Sequence, residues 1–251
     1  MAKLRLAIVV SSALVLAVFA ASAAADPHAG PPICSHAGKS VSGTHRNLTI
    51  RGNAFVRHGR TLRVRGNLTI ARGACLDAFT LGTVHVGGNI LVSRGATLAL
   101  GCTPNSIGPV PPCGTHTTND TVRGSIIANH AMTMYLDGDW IGRNVISHGG
   151  GPGLHGPFLN FPVKDNTIGG RLVMTGWRGG WIGAIRNTVA GNLRFSRNAS
   201  VQDPDSNEVQ TNTVGGNLVC WRNSPPTHVN PDDGGLPNTV SGSKIGQCSG
   251  L

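Results

Sequence analysis

The chain has 251 residues, with 36 Gly, 15 Pro and few aromatic residues, namely 4 Trp, 1 Tyr and 6 Phe. So few bulky side chains argue against a large globular core and favour a stack of small aliphatic residues. The formal net charge is +10, but the basic residues are scattered singly and no aromatic residues lie among them, which argues against nucleic-acid binding. The charge suits adhesion to anionic cell-wall polymer, acidic polysaccharide or phospholipid headgroups, and the alternative interpretation is that it serves solubility alone.

Residues 1–25 have the pattern of a secretory signal peptide. Lys3 and Arg5 precede an uncharged apolar stretch from Leu6 to Ala20, and small residues follow at Ala21-Ser22-Ala23. An uncleaved N-terminal anchor is the alternative interpretation. We expect residues 26–251 to form one domain of a secreted, extracellular protein that is associated with the cell wall. No later stretch is long enough to span a bilayer.

A short phrase, Val-x-Gly-Asn-Leu, recurs along the chain, as in Val64–Leu68 and Val189–Leu193. Taking its Asn position as the anchor gives nine units, most of them spaced as one turn of a β-solenoid is. One longer step contains a Cys-bounded loop, which we interpret as an insertion between strands. The anchors are Asn47, Asn67, Asn89, Ser125, Asn144, Arg171, Asn192, Asn217 and Ser243.

Aliphatic residues recur at fixed distances from the anchor. The position one after it is aliphatic in eight of the nine units, with Lys244 as the exception, and the position three after it is mostly apolar. A period of two places these positions on one face of a strand, which we expect to face inward. The position three before the anchor forms a second inward stack of Val and Ile.

The Asn anchors predict a structural ladder at a corner of the coil. Asn side chains stacked one coil apart, at about 4.8 Å, are expected to hydrogen-bond to each other. The Gly before each anchor is expected to allow a bend with positive φ, and Asn tolerates the left-handed region at such a bend. The ladder residues are Asn47, Asn67, Asn89, Asn144, Asn192 and Asn217. A second column lies five residues before the anchors, at Asp120, Asp139, Asn166, Asn187, Asn212 and Asn238.

These patterns predict an all-β protein with a single domain, a right-handed parallel β-helix of about nine coils. No segment after the signal peptide shows a convincing helical period. Any function must then lie where the repeat is interrupted. Those places are Cys102–Cys113, Gly149–Val163, Trp177–Trp181, Gln202–Gln210 and Trp221–Leu236.

Six cysteines in an exported chain predict three disulfides. Cys102 and Cys113 bound a Pro-rich loop, and Cys220 and Cys248 lie in the last two units. Cys34 and Cys75 are then paired by elimination. The chain has no Cys-x-x-Cys, and two His beside a Gly-rich loop have no identifiable third ligand, so no metal or other cofactor is expected.

The phrases from Asn212 to Cys220 and from Pro237 to Cys248, and that from Leu68 to Cys75, resemble a group of exported bacterial right-handed β-helix proteins. In that group, similar coils recur and end in Gly-Gln-Cys. The coils are also similar to those of bactofilins, which polymerise end to end, but bactofilins are normally cytoplasmic and lack disulfides. The resemblance implies an architecture and supplies no catalytic residues.

Many parallel β-helices are polysaccharide lyases or hydrolases, which need clustered carboxylates or a calcium site. The chain has one Glu, Glu208, and its close Asp pairs suit turns. Asp203, Asp205 and Asp232 lie in adjacent coils and are candidate ligand contacts on one side of the rod. A lyase or hydrolase is therefore the alternative, while a non-enzymatic structural or adhesive protein is favoured.

Trp177 and Trp181 lie close together on a segment that we expect to be a loop, next to an Arg. Exposed indoles beside a guanidinium suit stacking on sugar rings, so a glycan-binding module is a further hypothesis. The other interpretation is that these Trp side chains fill an irregular turn or shield the side of the rod.

Overall fold

A computed structural model describes Cys34 and residues 38–79, 82–103, 120–153, 161–201, 207–231 and 234–251. All regular elements among these residues are strands, and every pair of strands is parallel. The strands wind into about eight turns, so the fold is the single-domain right-handed parallel β-helix that the repeat predicts. The signal-peptide prediction for residues 1–25 lies outside the described residues.

Each turn contributes one strand to each of three sheets. Sheet A contains Lys39–Ser40, Asn53–Phe55, Cys75–Asp77, Thr97–Gly101, Thr133–Asp137, Phe161–Lys164, Ile182–Ile185 and Asn207–Gln210. Sheet B contains Gly43–His45, Thr61–Val64, Thr83–Val86, Thr121–Val122, Trp140–Ile141, Thr167–Ile168, Thr188–Val189, Thr213–Val214 and Thr239–Val240. Sheet C contains Leu48–Ile50, Leu68–Ile70, Ile90–Val92, Ile126–Ala131, Val145–Gly150, Leu172–Gly179, Leu193–Ser196, Leu218–Trp221 and Lys244–Gly246, with Ala199–Ser200 beside Leu172–Gly179.

The strand register confirms the inward positions read from the repeat. In sheet C the residues one after the anchor pair directly from coil to coil, as Leu172 pairs with Leu193 and Leu193 with Leu218. In sheet B the residues three before the anchor do the same, as Val189 pairs with Val214. These side chains are buried in one continuous core, so the interior is a stack of aliphatic columns.

The Asn ladder exists, but its hydrogen bonds are not made between side chains as expected. The backbone N–H of most anchors donates to the side-chain oxygen of the anchor in the preceding coil, as Asn67 donates to Asn47 Oδ1 over 2.8 Å. Asn89, Asn217 and Ser243 donate to Asn67, Asn192 and Asn217 in the same way, and Arg171 donates to Asn144. The ladder therefore satisfies corner amides that strand pairing leaves free.

The Gly residue before each anchor has a different role from the one predicted. Neither these glycines nor the anchor residues of the described coils have positive φ. A Cβ at Gly66, Gly88 or Gly216 would instead collide with the Asn Oδ1 of the preceding coil. The residue is glycine because the ladder brings the side chain of one coil against the backbone of the next.

The second predicted column is buried and makes more hydrogen bonds. Asn187 Oδ1 accepts hydrogen bonds from Asn166 N at 3.1 Å and Asn166 Nδ2 at 3.0 Å, while Asn187 Nδ2 donates to Val163 O at 2.8 Å. Asn212 and Asn238 repeat this pattern in the following coils. Here the backbone amide donates toward the following coil, opposite to the direction of the exposed ladder.

A third column, which the sequence did not reveal, lies at the corner between sheets C and A. Trp177 N donates to Asn198 Oδ1, Asn198 N donates to Asn223 Oδ1, and Asn223 N donates to Gln247 Oε1. Asn198 and Asn223 are buried, and their amide groups also donate to carbonyls of the preceding coil. The Gln of the closing Gly-Gln-Cys therefore ends this column.

Two of the three predicted disulfides are present. Cys34 is bonded to Cys75, and Cys220 to Cys248, so a cross-link lies near each end of the rod. Cys102 is itself disulfide-bonded. Its predicted partner, Cys113, lies outside the described residues.

Candidate functional site

The first three coils carry a concentration of positive charge. Residues 38–103 include Lys39 and eight Arg but a single acidic residue, Asp77, which is buried. All eight Arg side chains are exposed: Arg46, Arg51, Arg57, Arg60, Arg63, Arg65, Arg72 and Arg94. Residues 120–251, by contrast, carry basic and acidic residues in nearly equal number. The rod therefore has a basic end, formed by its first coils, where positive charge is most concentrated along the sequence.

Three of these arginines form a row at the corner between sheets C and A, and we call Arg51, Arg72 and Arg94 the arginine row. Each follows a sheet C strand, and these strands pair in register through Ile50, Ile70 and Val92. The turns are linked by a hydrogen bond from Gly73 N to Arg94 O. Arg72 and Arg94 both lie two residues after the paired strand ends, so their backbones are one coil apart, a rise of about 4.8 Å, while Arg51 follows its strand directly and lies one position earlier in its turn.

A second basic group lies at the corner between sheets B and C. Arg46 and Arg65 occupy successive coils and, with His45, line an open cavity of about 790 Å³. On the neighbouring face of sheet B, Arg63 pairs in register with His85. Burial, and next the positive charge of Arg63, lower the pKa of His85. The neutral form of that ring is therefore favoured at pH 7.

A groove opens beside the last member of the arginine row. It has a volume of about 320 Å³ and is lined by Leu91, Ser93, Arg94, Ile127, Asn129 and His130. Leu91 and Ile127 are paired across sheet C and are 39% and 38% exposed, so they form an apolar floor. Arg94, Asn129 and His130 supply a polar rim, and His130 Nδ1 lies 2.6 Å from Asn129 Oδ1.

Two buried carboxylates, Asp137 and Glu208, form a separate cluster around Lys164 on the outer side of sheet A. Asp137 accepts a hydrogen bond from Thr103 Oγ1 at 2.8 Å, and its Oδ2 lies 4.0 Å from Lys164 Nζ. Glu208 accepts hydrogen bonds from Gln210 at 3.4 Å and Asn230 at 3.3 Å. Asp137 and Glu208 are 0% and 2% exposed, so no polysaccharide reaches them in this conformation. We interpret the cluster as structural.

Two more carboxylates, Asp120 and Asp139, occupy the buried column where later coils have Asn. Burial raises the pKa of Asp120 to about 7, against hydrogen bonds from Val84 N and Gly101 N that lower it. Burial, and next the charges of Asp120 and Asp137, raise the pKa of Asp139 well above its usual range. Both shifts favour the protonated, neutral form of these two carboxyl groups.

The glycan-stacking interpretation is wrong for Trp177. This residue lies within the strand Leu172–Gly179, not on a loop, and its side chain is 1% exposed. The indole stacks on Phe161 with ring centroids 3.8 Å apart, and its Nε1 donates to Ser147 Oγ. The space-filling alternative accounts for it, because this long strand turns Trp177 into the core. Trp181 is half-buried.

The three candidate carboxylates Asp203, Asp205 and Asp232 lie outside the described residues, so their proximity stays a prediction. Within the described ranges no group of three or more His, Cys, Asp or Glu is placed to hold a metal ion. Those ranges also contain no helix long and apolar enough to cross a membrane.

Sequence reasoning missed the arginine row because it treated the basic residues as scattered. The signal was present as the dipeptide Arg-Gly, which occurs at Arg51, Arg72 and Arg94 with steps close to one coil. Winding the chain aligns residues that are far apart in sequence.

Comparison of the chain with family models, curated proteins and solved structures finds no match in any of the three. The fold and the surface therefore carry the functional argument alone.

Proposed function

We propose that this protein is a secreted, non-enzymatic β-helix that adheres to anionic polymer at the cell surface or in the extracellular matrix. The single observation that carries the proposal is the basic end of the rod, where eight exposed Arg face no exposed carboxylate in residues 38–79 and 82–103. Cations that recur from coil to coil, as Arg72 and Arg94 do, suit a linear polyanion that lies along the rod.

The rest of the described molecule supports a scaffold. Its buried Asx columns satisfy backbone amides, and its described acidic residues are buried, ion-paired or part of those columns. The disulfides agree with an oxidising compartment. Phospholipid headgroups share the anionic chemistry, but cations aligned along a rod suit a linear polymer better than a fluid surface.

The test is binding of the purified chain to immobilised anionic polysaccharide, with neutral cellulose as a reference and salt as a variable. We expect retention on the anionic matrix that weakens with salt. Changing Arg51, Arg72 and Arg94 together to Ser is expected to lower affinity by about tenfold or more, since each exposed ion pair contributes up to about 1 kcal/mol. The matched control changes three exposed arginines of later coils to Ser: Arg143, Arg171 and Arg178.

Equal losses of affinity in the two triple variants would show that only the net charge of the protein matters. The proposal that the basic end is the binding site would then be rejected. Release of new reducing ends or unsaturated products from the polymer by the pure protein would overturn the non-enzymatic part and favour the lyase or hydrolase alternative. Fractionation of cells that express the full chain tests the location, with recovery in the medium or the wall fraction expected.

A further inference from the structure

We infer that the outer face of sheet C, beginning at the groove beside Arg94, binds a carboxylate-bearing polysaccharide such as a polyuronate. The inference rests on the proposed function and specifies which anionic polymer the basic end recognises. It requires two features that a site for charge alone does not need: an apolar platform and a parallel line of hydrogen-bonding groups.

The platform is a column of outward aliphatic side chains. Leu91 pairs with Ile127, Ile127 with Ile146, and Ile146 with Val173, so four successive coils present apolar groups at one position. Leu91 and Ile127 are exposed, and Ile146 and Val173 are partly exposed. The column extends about 14 Å along the rod, three coil rises of about 4.8 Å each. Sugar rings have an apolar C–H face that such a column can cover.

A polar column runs beside the platform, two residues further along each strand. Asn129 pairs with His148, and His148 with Thr175. Asn129 and His148 are exposed, and Thr175 is partly exposed. Amide, imidazole and hydroxyl groups both donate and accept hydrogen bonds, as recognition of sugar hydroxyls requires. A sugar chain parallel to the rod would thus contact the platform with its ring faces and the polar column with its ring edges.

Charge complementarity selects an acidic sugar over a neutral one. The groove at the start of the platform joins the apolar floor of Leu91 and Ile127 to the guanidinium of Arg94. A planar guanidinium pairs in a bidentate manner with a carboxylate. The arginine row continues from Arg94 through Arg72 and Arg51 beyond the platform, so further carboxylates of the same chain would meet further cations.

The chain itself suggests the variant that tests the platform. Thr49 and Thr69 occupy the same outward column in the first two coils, so threonine fits this position. The variant changes Leu91 and Ile127 to Thr, which removes the apolar floor and keeps every charge. The matched control changes Val219 and Ile245, which lie in this column in the last coils, to Thr.

The experiment titrates the full-length protein with an oligogalacturonate, its carboxyl-reduced neutral counterpart and a linear polyphosphate. We expect the platform variant to lose about tenfold in affinity for the oligogalacturonate and to bind polyphosphate as the wild type does. The control variant should bind both ligands as the wild type does. Arg94→Gln should weaken oligogalacturonate binding and leave the weaker binding of the neutral counterpart unchanged.

Unchanged oligogalacturonate affinity in the platform variant would overturn this inference, and the basic end would survive as a binder of charge alone. Tighter binding of polyphosphate than of oligogalacturonate would overturn it too and make a polyphosphate the partner. Wild-type protein that binds neither anion would defeat both the inference and the proposed function.

Discussion

Arg186 and Asp165 form a two-point ion pair between adjacent coils, with Nε 2.7 Å from Oδ1 and Nη2 2.6 Å from Oδ2. Both residues have positive φ, 52° for Arg186 and 59° for Asp165. Such a backbone conformation is unfavourable for residues with a Cβ. The hydrogen bond to Asp165 also raises the pKa of Arg186. The pair thus stabilises a corner whose backbone conformation favours glycine.

Replacing Arg186 with Met is expected to lower the free energy of unfolding by about 1 to 2 kcal/mol, because it removes a two-point, partly buried ion pair and leaves Asp165 without this partner. Urea denaturation followed by circular dichroism measures the change. Arg123→Met, at an exposed arginine, is the control and should change stability by less than about 0.5 kcal/mol. Equal effects of the two changes would contradict the role given to the pair.

The Asp139→Asn variant is expected to be more stable than the wild type at neutral pH. The raised pKa values of Asp120 and Asp139 mean that the folded state retains protons that the unfolded chain has lost. Wild-type stability should therefore fall as pH rises from about 4 to about 7, by at most about 1.4 kcal/mol per pH unit for each retained proton. Melting temperatures between pH 4 and pH 8 should show a shallower fall in the variant.

The reverse change, Asn166→Asp, tests the same argument one coil further along. Asn166 Nδ2 donates to Leu136 O and to Asn187 Oδ1, and an ionised carboxylate would face those oxygens without a proton. We expect this variant to lose stability as pH rises, more steeply than the wild type. A pH profile parallel to that of the wild type would count against the column as the origin of the pH dependence.

The two Asn columns should differ in their contribution to stability. Asn187→Ala removes one amide group that makes several buried hydrogen bonds, and each orphaned buried group costs about 1 to 3 kcal/mol. Asn67→Ala removes one acceptor at an exposed corner where water can replace it, so we expect a loss of about 1 kcal/mol or less. Chemical denaturation of the two variants compares them directly, and a larger loss at Asn67 would contradict the prediction.

Opening the Cys220–Cys248 bond by a Cys248→Ser change is expected to lower stability by roughly 3 to 4 kcal/mol, from the loop entropy of its 28-residue separation. The last coil should then fray first, because that bond ties it to its neighbour. Hydrogen exchange of the amides from Thr239 to Gly246 is the direct measurement. Uniform loss of protection along the whole rod would show that the bond does not stabilise this end in particular.

Trp177→Ala is expected to cost about 3 to 5 kcal/mol, as for other buried aromatic side chains, and to leave a gap beside Phe161. Trp140→Ala is the control, since that indole is 46% exposed. Thermal denaturation followed by circular dichroism separates the two. If both variants kept wild-type stability and Trp177→Ala alone lost sugar binding, the core role of Trp177 would be refuted.

The sequence predicted the coils well because each coil repeats the same local rules. The pairing of Leu172, Leu193 and Leu218 follows from hydrophobic period alone, and the burial of the Asn187 column agrees with its Asx composition. The prediction was wrong about Gly66 and Gly88, since their role is a close approach between coils that no single coil reveals.

The candidate site was harder to predict because it is formed between coils. Arg51, Arg72 and Arg94 are neighbours only after winding, and Leu91 and Ile127 are 36 positions apart yet pair directly. Trp177 was misjudged because a local sequence of Trp, Arg and Gly gives no sign that the preceding strand continues through it.

The exposed ladder donates its amides toward the preceding coil, while the buried columns donate theirs toward the following one. Most coils thus offer the same kinds of donor and acceptor to the neighbour on either side, with Arg171 as an exception in the exposed ladder. Duplication or deletion of one such coil would leave most of these hydrogen bonds in place, whereas loss of half a coil would break the columns. The gene for a rod of this kind can change the length of the protein in single-coil steps. The extent of a binding surface along the rod can therefore evolve separately from the stability of the fold.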